Sequence, residues 1–169
     1  MSATPSLEIA AVRRAAGMPR ECLTLRLGDE AYGIDIHCVQ EIRGYEPLTR
    51  VAGAPAGVRG VLHLRGTIVP VVDLRDRLGL EARFDAATVT VILDLGGGTV
   101  GAVVDAVSDV VTFHDDQLRP APAFNGSARG THLSAVARHE SGGREQLLQL
   151  LDIEALMAET GIGRARLAA

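Results

Sequence analysis

The sequence has little that would serve a nucleic acid, a metal or a bilayer. It has no Trp, two Tyr and three Phe in 169 residues, so platforms for base stacking are scarce. No basic run extends beyond Arg13-Arg14, and 17 basic residues face 21 acidic ones for a formal net charge of −4. A nucleic-acid binder concentrates positive charge on one face, so no nucleic-acid partner is expected. No stretch approaches the ~20 apolar residues that span a bilayer, so no direct membrane insertion is expected. The longest candidate secretion core, Ile9-Ala10-Ala11-Val12, is too short for that purpose. The two cysteines, Cys22 and Cys38, form neither a C-x-x-C pair nor a disulfide framework. These absences point to a cytoplasmic chain in a reducing compartment. There Asn125-Gly126-Ser127, a formal glycosylation sequon, has no consequence.

What is present is short, alternating and apolar. The hydrophobic fraction is 47%, enough for a sizeable core in one domain or two small intertwined lobes. Residues 1–20 read as a flexible leader, 21–160 as the ordered domain and 161–169 as a flexible tail. Leu23, Leu25 and Leu27 alternate with polar neighbours at the strand period, and Gly28-Asp29-Glu30 turns them into a second arm, Ala31 to Ile34. Asp35 is placed to cap a short helix over Ile36 to Ile42. Strands follow at Gly60 to Leu64 and Thr67 to Leu74, joined by an Arg65-Gly66 turn. Pro70 predicts an edge position or a bulge for the second of them. Asp73 caps a single-turn helix that Gly79 stops. Further strands are read at Val89 to Leu93, Thr99 to Asp105, Val107 to Phe113, Thr131 to Arg138 and Glu145 to Leu151. Asp152 caps a last helix, Ile153 to Thr160. Many short strands with little helix predict an all-β barrel or sandwich.

Motifs for catalysis are weak or missing. Gly96, Gly98 and Gly101 match the dinucleotide spacing G-x-G-x-x-G, but that fingerprint needs a helix after it, and Val100 to Asp105 continues as strand. A hairpin turn accounts for these glycines better. No two of His37, His63, His114, His132 and His139 have the spacing that sets two metal ligands on one helix face. Neither a G-x-S-x-G elbow nor a P-loop occurs. Asp115-Asp116 reads as a turn or cap. No metal, cofactor or catalytic residue is therefore expected. Two binding features remain. Arg65 stands at a hairpin tip, where it is either a solubilising turn residue or a five-donor fork offered to a partner. Phe124 lies in a Pro-rich loop, where it is either tucked back or offered outward.

Several segments carry a resemblance in order and spacing. They are Gly28-Asp29-Glu30-Ala31-Tyr32-Gly33-Ile34-Asp35-Ile36, Val39-Gln40-Glu41-Ile42-Arg43-Gly44-Tyr45 and Gly60 through Leu74. Downstream come Val100 through Val110 and Arg119-Pro120-Ala121-Pro122. Over about 20–158 the chain resembles the CheW family of chemotaxis coupling proteins. His63 departs from the family's usual Asn before Leu-Arg-Gly, although both side chains can donate a hydrogen bond.

The resemblance implies two SH3-like five-stranded β-barrels packed together, roughly 21–80 and 85–151, with strand exchange between them allowed. It implies a non-catalytic scaffold, monomeric alone, that couples chemoreceptor cytoplasmic tips to the histidine kinase CheA. The protein would be recruited to membrane-associated receptor arrays. By position in the family pattern, Arg65, Gly66, Glu41 and Phe124 meet the kinase. Val39, Gly101, Val107 and Val110 meet the receptor. The rival reading is a small ligand-binding or enzymatic barrel using the Gly96–Gly101 turn.

Overall fold

The computed structural model describes residues 20–120 and 132–160. Residues 1–19 of the expected leader, the tail, the sequon and Phe124 lie outside these residues, while Arg20, the last residue of the expected leader, already begins the first strand. Among the described residues there are eleven strands: β1 (Arg20–Leu27), β2 (Glu30–Asp35), β3 (Val39–Gly44), β4 (Gly60–Leu64), β5 (Thr67–Asp73), β6 (Val89–Asp94), β7 (Thr99–Val104), β8 (Ala106–Phe113), β9 (Leu118–Arg119), β10 (Leu133–Ser141) and β11 (Arg144–Leu151). Two short helices, α1 (Leu74–Arg77) and α2 (Ile153–Ala158), complete the set. The all-β reading holds, and the capping residues act as expected. Asp73 accepts from the Arg75 amide at 3.0 Å, and Asp152 accepts from the Ala155 amide at 3.1 Å.

The strands form a five-stranded sheet, β3-β6-β7-β5-β4, and a six-stranded sheet, β8-β1-β2-β11-β10-β9. The expected division at 80/85 is corrected here. The chain gives its first hairpin to the six-stranded sheet, builds the whole five-stranded sheet from 39 to 104, and then returns. The expected boundary falls inside the five-stranded sheet. The reason lies in β6 and β7, which are buried on both faces. Such runs show no alternation, so their sequence does not reveal their neighbours. The second lobe has six strands, not five, because the two-residue β9 adds an edge.

Both sheets curl on themselves. Backbone bonds between Thr49 and Val61, at 3.0 and 2.8 Å, join the chain after β3 to β4, the opposite edge of its sheet. In the other sheet the two edges, β8 and β9, are consecutive in the chain and linked by one turn, Asp115–Gln117. Each curl encloses a small core: Leu62, Leu64, Val69 and Ile92 in one, Cys22, Phe113, Leu148 and Leu150 in the other. The largest core lies between the sheets, where Leu23, Leu25 and Ile34 meet Val91, Leu93, Val100 and Leu156.

Two local expectations are corrected. The helix over Ile36 to Ile42 is only a single 3-10 turn, Ile36–Cys38, capped by Asp35 at 2.9 Å from the His37 amide. From Val39 the chain is strand, because half-burial alternates through Gly44 and β6 offers a ladder. Tertiary pairing overrides the local helical spacing. Pro70 sits neither on an edge strand nor at a bulge, since β5 runs between β7 and β4. Val61, opposite Pro70, turns its own amide to Thr49. That marks the Val61–Pro70 pair as a non-hydrogen-bonded one, and β5–β7 pairing starts only at Val71. On the β4 side, therefore, no ladder bond is lost for want of the proline N–H.

One side chain ties the two sheets together. Arg75 is fully buried. Its Nε and Nη2 donate to Asp73 at 2.8 and 2.9 Å, and its Nη1 donates to Asp105 at 2.8 Å and to the Arg83 carbonyl. The Phe84 ring lies 4.7 Å from the guanidinium and stacks on Tyr45. Asp105 stands between β7 and β8, where the chain changes sheets, and its other oxygen accepts from the Gly28 amide at 2.7 Å. Burial alone would lower the Arg75 pKa, but its hydrogen bonds to the carboxylates of Asp73 and then Asp105 outweigh it and hold the group above its ordinary range. Replacing Arg75 with Met strands two carboxylates, and a broken buried pair costs about 3–5 kcal/mol. Urea denaturation of Arg75→Met is expected to show a loss of that size; a loss under ~1 kcal/mol would mean that the network contributes no more than a surface pair.

Candidate partner-binding surfaces

The first surface forms around the β4–β5 hairpin. Leu64 pairs with Thr67 across a two-residue loop. Both loop residues take positive φ, 50° at Arg65 and 82° at Gly66, the type I′ geometry that matches strand twist. Gly66 accepts this without strain. The turn aims Arg65 outward, with its side chain 65% exposed. Its Nη2 donates to Oε2 of Glu41. Glu41 lies on β3 and Arg65 beside β4, the two opposite edges of the five-stranded sheet, so this pair crosses the seam of the curl. Oε1 of Glu41 accepts from Arg43 Nη1 at 3.2 Å, and Arg43 Nη2 donates to Glu46 at 2.8 Å. The hydrogen bond from Arg65 is the largest influence on Glu41 and lowers its pKa; partial burial opposes it and Arg43 assists.

Beside the turn, His63 is exposed and pairs with Ile68, an isoleucine left 62% exposed. Sequence reasoning missed Ile68. Its signal was available, since it is out of phase with buried Val69 and Val71 on the same strand.

The second surface follows the margin of the core between the sheets. Val39 and Val107 are both half-buried against that core. They sit on β3 and β8, one edge strand of each sheet. Each of these two strands carries a one-residue bulge. In β8 the Thr24 hydroxyl accepts from the Asp109 amide at 3.0 Å and donates to its carbonyl at 3.1 Å. Val107 and Val110 thereby lie opposite Leu25 and Leu23, which share one face of β1. Three residues apart in a regular strand they would face opposite sides. Val110 is 51% exposed. In β3 the bulge does the same for Val39 and Ile42, opposite Leu93 and Val91. Ile42, 43% exposed, is a second residue the sequence did not mark, because the bulge that aligns it has no pattern.

Gly101 lies elsewhere. It is buried in β7, and a Cβ there would meet Val71 at 3.0 Å and Thr90 at 3.1 Å. These atoms face the inside of the five-stranded curl, so Gly101 is a point of close packing. Gly96 and Gly98 have φ of 83° and 153° in the β6–β7 turn, and strand β7 follows where a dinucleotide site needs a helix. His132 is buried and holds Glu159 at 3.1 Å; His139 lies edge-on to Phe113. Among the described residues no group of three His, Cys, Asp or Glu could hold a metal, and no helix is long and apolar enough to cross a membrane.

Comparison with known proteins agrees with this architecture. The family model of the CheW-like domain matches residues 21–161. The chain is 42% identical to the chemotaxis protein CheW of Klebsiella aerogenes over 153 residues, 89% of this chain and 90% of that one. It is 33% identical to a probable chemotaxis protein CheW of Rhizobium etli, over 83% and 89% of the respective chains. The crystal structure of the scaffolding protein TtCheW from Thermoanaerobacter tengcongensis superposes with a TM-score of 0.71 at 26% identity, covering 82% of this chain and 88% of that one.

A carboxylate pKa depressed in the folded state stabilises at neutral pH, and that contribution is lost as pH falls through the folded pKa. NMR titration of the Glu41 carboxyl is therefore expected to give a higher midpoint in Arg65→Asn than in the native protein. Equal midpoints would show that the Arg65 contact does not hold in solution.

Proposed function

The chain belongs to the CheW-like family, the non-catalytic scaffolds and adaptors of chemotaxis, and on that premise we propose that it couples chemoreceptor cytoplasmic tips to the histidine kinase CheA. One observation supports this most directly: edge strand β3 is two-faced. Glu41 is paired opposite Ile92 of the inner core of its sheet and supports Arg65. Val39 and Ile42 are paired opposite Leu93 and Val91 of the core between the sheets. One strand thus serves a charged surface and an apolar one.

In this reading Arg65, with Glu41 behind it and Gly66 shaping the turn, meets the regulatory domain of CheA. A rigid guanidinium fork suits a carboxylate or carbonyl partner. Val39, Ile42, Val107 and Val110 border the receptor groove, since a helical tip docks through apolar anchors in such a groove. Gly101 contributes by letting β7 pack closely and offers no contact of its own. Phe124 is assigned to a second kinase-domain contact on family position alone. The protein acts in the cytoplasm, at membrane-associated arrays, and is monomeric when alone.

Paired binding measurements test the division of labour. Asn tolerates positive φ, so Arg65→Asn keeps the turn and removes the fork. It is expected to weaken CheA regulatory-domain binding by roughly 1–3 kcal/mol and to leave a receptor-tip fragment bound. Val39→Lys is expected to reverse that pattern, because a desolvated ammonium is costly in an apolar groove. Loss of both partners by either variant, or of neither by both, contradicts two separate surfaces.

A further inference from the structure

We infer that Arg43 is a positioning residue for Arg65, acting through the carboxylate of Glu41; this rests on the reading of Arg65 as a kinase contact. The argument begins with the seam of the five-stranded curl. Thr49 and Val61 are bridged antiparallel, and continuing that register would set Pro47 across from His63. Proline has no N–H, so the ladder cannot extend. Beyond the bridge, the seam near Arg65 is spanned by side chains. Arg65 donates to Oε2 of Glu41, Arg43 donates to Oε1 at 3.2 Å, and Arg43 is anchored in turn by Glu46 at 2.8 Å.

This allocation of oxygens fixes orientation. A carboxylate with one arginine on each oxygen has a set plane, whereas a single arginine can be met by either oxygen or by both. Arg43 itself is fixed because its two amino groups reach two different carboxylates on its own segment. The far end of this chain of charges lies just after β3, and the near end is the exposed tip that faces a partner. Arg43, at 32% side-chain exposure, reaches Arg65 only through Glu41. An arginine fork can span Glu41 and Glu46, which a lysine's point charge does less well.

The test uses the full chain and the CheA regulatory domain. Arg43→Met is expected to increase motion of the Arg65 Nε–H in NMR relaxation of the free protein. It is also expected to weaken regulatory-domain binding roughly two- to fivefold, the range of an exposed ion pair. The double variant Arg43→Met/Arg65→Asn should bind no more weakly than Arg65→Asn alone, and Arg43→Lys should recover part of the affinity. Additive losses would mean that Arg43 touches the partner itself and overturn the positioning role. Unchanged Arg65 motion together with unchanged affinity would overturn it as well. If Arg65→Asn alone leaves affinity unchanged, the reading of Arg65 as the contact fails, and Arg65 motion in the free protein still decides whether Arg43 orders it. Should Arg43→Met fail to fold, Glu46→Gln removes the outer anchor without touching Glu41 and is expected to shift Arg65 motion in the same direction; no shift would overturn the inference.

Discussion

The buried guanidinium of Arg75 holds the arrangement on which everything else depends. The two curled sheets share a core, but an apolar core is non-directional and does not by itself fix how one sheet is set on the other. Arg75 supplies direction. It binds Asp73 at the end of β5 and Asp105 where the chain leaves β7, and Asp105 also holds the β1–β2 turn through Gly28. Buried ion pairs carry a large desolvation penalty and are weak contributors to net stability. Their effect here is geometric: β3 and β8, one edge strand of each sheet, take fixed positions on either side of one core.

The exposed features then follow from small irregularities in otherwise regular strands. A one-residue bulge in β3 and another in β8 bring valines and an isoleucine spaced by three onto one side. A type I′ turn turns Arg65 outward. A proline after β3 leaves the seam to side chains, and four charges occupy it. None of these devices is a reacting group. They present donors and apolar anchors on a rigid frame, which is the requirement for a scaffold whose binding should not demand reordering.

Much of the frame is visible in the sequence because local patterns and tertiary structure agree there. Leu23, Leu25 and Leu27 alternate and are all buried. Arg65-Gly66 is a two-residue turn between apolar runs and forms one. Asp73 and Asp152 precede helical turns and cap them. The failures share a cause: they depend on residues distant in the chain. Val39 to Ile42 has helical spacing, and only the ladder from β6 makes it strand. The apolar runs β6 and β7 look alike from either side, so their sheet could not be assigned by sequence halves. Glu41 entered the site through family position, while its bond to Arg65, 24 residues away in sequence, appears only once the sheet curls. Pro70 suggests an edge or a bulge, yet an interior strand accepts it at a pair that makes no hydrogen bonds with β4.

In the proposed function one small chain holds two partners at once, on opposite sides of β3. Calorimetric titration of a chemoreceptor-tip fragment into the protein, first free and then saturated with the CheA regulatory domain, addresses it most directly. Receptor affinities are expected to agree within about twofold in the two titrations, since independent sites have a coupling factor near one, and the ternary complex is expected to elute as a single species. Release of the regulatory domain as the receptor fragment binds would contradict it.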